Sequence, residues 1–274
     1  MTKDLASMLR RFSRQMALLG ALRWTGAILV VGALLLISGT GGLSTGQFAA
    51  IAVGVPLLIV ASAALSIALT RQVQAAAIML SLGKLDDAEV WLKRGLTKFT
   101  LSRRAKITAA HLLATLLMQR GQYEDVVAVC RALLRQRLER LRQTWVDARL
   151  ILADALLLLG RLREAYEALM PVYGLPLPLE AKLKLLPIQL RYELAAGHPA
   201  SSVSALPEKV RIAELMDPAN AALTHALLAE ACRRENRPAE RDFLAERARL
   251  YHDLEPLAQR HPIINPIASS TQTS

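Results

Sequence analysis

Aromatic side chains make up only 4% of this 274-residue sequence, and cysteine occurs just twice, at Cys130 and Cys232. A β-sandwich or barrel draws on aromatic and β-branched residues in short alternating runs. Here Leu, Ala, Ile and Val carry most of a 53% hydrophobic content, a mix that suits helices. Without a CxxC pair or a Cys/His cluster, neither a zinc centre nor a disulfide framework is indicated. Each cysteine therefore reads as a small core hydrophobe. His111, His198, His225, His252 and His261 are scattered, and none stands three or four residues from another. No HExxH, no GxSxG and no recognisable Ser/His/Asp set occurs. The chain reads as non-enzymatic, with no metal and no cofactor.

Charge is missing from two long stretches. Residues 24–43 hold no charged side chain in 20 positions, and residues 48–70 hold none in 23. A helix needs about 20 apolar residues to cross the hydrocarbon core of a bilayer. Both runs meet that length, so a two-helix transmembrane hairpin is expected, joined by an outer turn at 44–47. Pro56 is compatible with it, because membrane helices tolerate proline where neighbours satisfy the freed carbonyl. The glycines of Gly39, Gly41, Gly42 and Gly46 lack the Lys-Ser/Thr that a phosphate-binding loop requires.

What charge there is carries a direction. Lys3, Arg10, Arg11, Arg14 and Arg23 precede the first run, and Arg71 follows the second. By the positive-inside rule both termini face the cytoplasm, which places the protein in a bacterial-type inner membrane as a multi-pass chain. Residues 1–23 form a basic amphipathic segment, with Leu5, Met8, Leu9, Phe12, Met16 and Leu19 at helical spacing. Such a stripe is expected to lie in the headgroup region of the inner leaflet. The net charge is +11, and only part of it is topogenic: residues beyond Thr70 hold 29 basic and 22 acidic side chains.

The rest of the chain is periodic. Gly83, Gly121, Gly160, Gly197 and Asn236 follow one another at intervals of 38, 39, 37 and 39 residues. Gly and Asn accept the left-handed conformation that ends a helix, so each marks the turn inside a helical hairpin. Seven residues before the turns stand Ala76, Ala114, Ala153 and Ala229, with Leu190 the exception. Ala88, Val126 and Ala165 follow five after the first three turns, and Leu92, Cys130 and Leu169 nine after. Small and apolar residues at these places let paired helices pack closely.

This pattern resembles the tetratricopeptide repeat. Gly83, Leu85, Ala88, Leu92 and Gly95 carry the resemblance best, followed by Ala114, Gly121 and Tyr123, then Ala153, Gly160, Leu162, Ala165 and Pro171. The later units are degenerate, with Ser202 and Arg241 in place of the small apolar residue, and the period exceeds the family's about 34 residues. The resemblance implies an all-α architecture in which the transmembrane hairpin precedes a right-handed α-solenoid of about five hairpins over residues 71–255. Residues 256–274, punctuated by Pro256, Pro262 and Pro266, read as a flexible tail. In overall plan the chain is similar to HemY-type bacterial proteins, which also place two spans before such repeats.

The family implies a partner groove lined by the first helix of each hairpin. By its spacing His111, Thr115 and Gln119 face that groove from the second unit, Asp147, Leu150 and Asp154 from the third, and Glu230 and Arg233 from the last. The Lys/Asn set with which some members clamp a terminal carboxylate is absent, since Asp154 stands where Asn is wanted. A second candidate surface is basic. Between Lys93 and Arg149 thirteen basic residues face four acids. Lys93, Arg94, Lys98, Arg103, Arg104, Lys106, Arg131 and Arg135 are its nominated residues, and anionic lipid headgroups are the ligand such a patch suits. Aromatics are not interleaved with these charges, so nucleic acid is not expected. The function these readings favour is a membrane-anchored scaffold or adaptor that holds a protein partner at the cytoplasmic face. An anionic-lipid sensor and a structural subunit of a larger membrane complex stay open beside it.

Overall fold

A computed structural model describes residues 5–19, 21, 54, 64, 67–68, 70–97, 102–136, 138 and 141–269. All regular structure among them is helical, which makes the protein all-α. No helix among the described residues is long and apolar enough to cross a membrane. The two uncharged runs at 24–43 and 48–70 lie outside the described residues apart from Gly54, Ala64, Ile67, Ala68 and Thr70.

The chain divides into two compact units, Met1–Thr144 and Trp145–Ser274. The first unit contains α1 (residues 5–19), α2 (residues 70–81), α3 (Leu85–Thr97), α4 (Arg103–Gln119) and α5 (Tyr123–Leu134). Among the described residues α2 includes Thr70, Arg71 and Gln72, so the last residue of the second uncharged run shares a helix with the start of the first hairpin. Ser102 caps α4 by accepting from the Ala105 amide, the usual service of a serine at a helix start.

The second unit takes in most of α6 (Arg142–Leu158) and then α7 (Leu162–Tyr173), α8 (Leu179–Ala195), α9 (Pro199–Val203) and α10 (Leu206–Ala213). It continues with α11 (Pro218–Arg234), α12 (Pro238–Tyr251), α13 (Leu254–Arg260), a 3-10 turn (Pro262–Ile264) and α14 (Asn265–Ser269).

The five turn residues adopt the expected left-handed backbone: φ is +71° at Gly83, +70° at Gly121, +73° at Gly160, +78° at Gly197 and +56° at Asn236. Each turn is closed by the same hydrogen bond. The amides of Lys84, Gln122, Arg161, His198 and Arg237 donate to the carbonyls of Met79, Leu117, Leu156, Glu193 and Cys232, at 2.8–2.9 Å. That is the Schellman closure of a helix end, repeated five times along the chain. The small and apolar residues keyed to the turns are wholly buried, from Ala76, Ala114, Ala153, Leu190 and Ala229 to Leu92, Cys130 and Leu169. Burial pushes the Cys130 thiol up to about 12, which makes it an inert core group.

Three features depart from the sequence reading. The second arm of the fourth hairpin is not one helix but two, α9 and α10, broken at Ala205 with φ +51°. Pro207 explains the break: a continuous helix would drive its ring into the carbonyl four residues back. Next, the apolar stripe of α1 does not lie open to a lipid surface. Leu5, Met8, Phe12, Met16 and Leu19 are buried within the chain, and Gln15 is held by the Lys106 ammonium at 2.6 Å. Finally, residues 256–269 are not a tail. Leu254, Ala258, Ile264 and Ile267 join the core of the second unit with Leu190, Leu227 and Leu228. The prolines that suggested disorder instead cut this segment into three short turns, each delivering an apolar residue inward.

Candidate functional site

Within the second unit, α6 and α8 are one repeat apart, and the offset of their turns, Gly160 to Gly197, is 37 residues. The same offset relates two ion pairs. Lys184 lies 3.2 Å from Asp147, and Arg191 pairs with Asp154. Each acid therefore meets the base that occupies its own position in the following repeat. Seven residues, close to two helical turns, separate the two rungs on either helix, which keeps both on one face.

Arg191 is the centre of the arrangement. It is buried, its Nε donates to the Pro187 carbonyl at 3.4 Å, and its Nη1 stands 3.3 Å from Nδ1 of His261. A guanidinium can only donate, so Nδ1 accepts and the imidazole proton sits on Nε2. Burial, reinforced by Arg191 and Arg260, pushes His261 down to about 3, so the ring is neutral at physiological pH. A cleft of about 170 Å³ opens at this cluster, lined by Leu157, Leu158, Ala195, Arg260, Pro262 and Ile263 together with Arg191 and His261.

Glu230, from α11, occupies the corresponding place one repeat on, six residues before its turn. It is fully buried and receives hydrogen bonds of 2.7–2.8 Å from both Arg233 and Arg234. Burial alone would raise its pKa, but the two guanidinium groups outweigh it and hold the carboxyl below its ordinary value. Arg234 also donates to the Leu194 carbonyl at 2.7 Å, tying α11 to the end of α8.

The nominated groove residues divide accordingly. Asp147 and Asp154 share a face of α6 with Leu150, but their carboxylates are matched by Lys184 and Arg191, and Leu150 is buried in the core. In the first unit, His111 and Thr115 are half-buried one turn apart on α4, with the Thr115 hydroxyl donating to the His111 carbonyl at 3.2 Å. Gln119 is exposed at the end of that helix.

The basic set also changes. Lys98 lies outside the described residues. Lys106 leaves the surface altogether: it is fully buried, its ammonium donates to the Leu96 carbonyl at 2.6 Å, and burial lowers it to about 8. Lys93 pairs with Glu89 at 2.6 Å, and Arg94 lies 5.8 Å from the Trp91 ring. Arg104, Arg131 and Arg135 are exposed, and Arg103 is half-buried. Arg191 and His261 were not singled out from the sequence. The recoverable signal was the 37-residue offset, which sets an acid of one repeat against a base of the next.

No family model, no curated protein and no solved structure matches this chain.

Proposed function

We propose that the chain is a membrane-anchored scaffold of tetratricopeptide-like hairpins that holds a protein partner at the cytoplasmic face of a bacterial inner membrane. The observation that carries this reading is the fivefold recurrence of one turn, with the same left-handed residue and the same closing hydrogen bond. A unit repeated in this way stacks a continuous core and leaves a long surface for binding, the usual work of helical repeat proteins. The two uncharged runs supply the anchor. That Thr70 shares a helix with Arg71 and Gln72 supports a first hairpin joined to this anchor without a linker.

The lipid-sensing alternative is weaker than the sequence made it, because Lys106 and the apolar side of α1 are both buried. A reporter fused after Ser274 tests the anchor. A cytoplasmic reporter, such as a fluorescent protein that folds only inside, is expected to be active there. Activity of an exported phosphatase at the same position would reverse the orientation.

A further inference from the structure

The C-terminal segment does more than close the core. The 3-10 turn packs against both α8 and α11, while α13 and α14 pack against α11. Both partners are first helices of their hairpins, the row that carries the Asp154–Arg191 pair. His261 reaches Arg191, and Arg249 of α12 holds the Ile267 carbonyl at 3.2 Å. Residues 261–267 thus lie along the α8 and α11 face as a bound peptide would. Ile264 and Ile267 serve as inward anchors, while Pro262, Asn265 and Pro266 face outward.

The segment is built of short pieces. The segment comprises helices of 7, 3 and 5 residues, each far below the about 12–15 residues that a helix needs to persist alone. Two side-chain contacts reach it, His261 Nδ1 at 3.3 Å from Arg191 and the Ile267 carbonyl at 3.2 Å from Arg249. Beside Pro262 and Ile263 the 170 Å³ cleft is left unfilled. Leu157, Leu158 and Ala195 line this cleft beside Arg191 and Arg260, so a bulkier side chain than Pro262 would meet apolar surface there.

We propose that the face of α6, α8 and α11 is a peptide-binding surface that residues 261–267 occupy in cis. The partner it takes is a short segment of the same chemistry: two branched apolar residues three apart, preceded by a bulky apolar residue and a hydrogen-bond acceptor for Arg191. The proposal rests on the scaffold reading and names which of its surfaces binds and what it binds. Cis occupancy makes the partner compete with the chain's own segment, so apparent affinity is reduced by the fraction of time the face is closed.

The probe is a fluorescein-labelled peptide of residues 261–269, titrated into the whole chain by fluorescence anisotropy. A chain carrying Ile264→Asp and Ile267→Asp should bind it about tenfold or more tighter than the unsubstituted chain. Adding Arg191→Met to that background should abolish the gain. Equal, weak binding by the opened and unsubstituted chains would overturn the proposal and make the segment a fixed cap.

Should the double substitution unfold the second unit, amide exchange of the unsubstituted chain decides. Exchange at 262–269 about tenfold or more faster than in α11 supports a segment that opens locally, and equal rates overturn it. A scaffold acting through another face would survive that failure, because it would still yield a crosslinked partner from intact membranes.

Discussion

At the residue scale, the turns are decided by backbone strain. An L-residue with a side chain pays about 1–2 kcal/mol in the left-handed region, and a Cβ built on Gly160 meets nothing within 4 Å. Gly160→Ala should therefore destabilise the fold by about 1 kcal/mol through conformation alone, read as a lower urea midpoint with an unchanged slope. His225 makes a second case. It is fully buried, neither ring nitrogen finds a hydrogen-bond partner, and it stacks on Tyr251 at 5.6 Å. Burial, with Arg247 adding to it and Glu214 opposing, pushes the ring down to about 4. The unfolded chain takes up this proton near pH 6.5, so it binds more protons than the folded chain between about 6.5 and 4. Stability is complete above that window and falls as the pH drops through it. His225→Phe keeps the stacking surface and removes the orphaned nitrogens. It should raise thermal stability at pH 5 more than at pH 7.5, and an unchanged pH slope would count against the account.

At the scale of elements, helix α8 is held to α6 by charge across one repeat. Asp154→Asn leaves Arg191 buried without its counter-charge, and loss of one member of such a pair costs about 3 kcal/mol. The swap Asp154→Arg with Arg191→Asp should recover part of that loss in a double-mutant cycle, and a purely additive cycle would deny the pairing. Glycine and asparagine turns were legible because left-handed backbone is a local property of one residue type. The break at Ala205 was harder, since its cause, Pro207, acts on the carbonyl four residues upstream. Residues 256–269 look disordered by composition because prolines interrupt every run. Ile264 and Ile267 gain order only from α8 and α11, dozens of residues away. Lys106 reads as one cation among many until Leu96 and Gln15 close over it.

At the scale of the whole molecule, an uncharged N-terminal pair of runs precedes a series of like hairpins. Each hairpin alone would leave apolar surface in water, and only neighbours can cover it. Within the second unit the charge changes from repeat to repeat, as Asp154, Arg191 and Glu230 show at one repeat position. The most direct test is photo-crosslinking in intact cells, with a photoreactive amino acid placed in turn at Leu158, Ile263 and the exposed Leu250. A scaffold that binds through the α6, α8 and α11 face predicts one reproducible protein adduct from Leu158 or Ile263, absent from Leu250. No reproducible protein adduct from any of the three positions would contradict it.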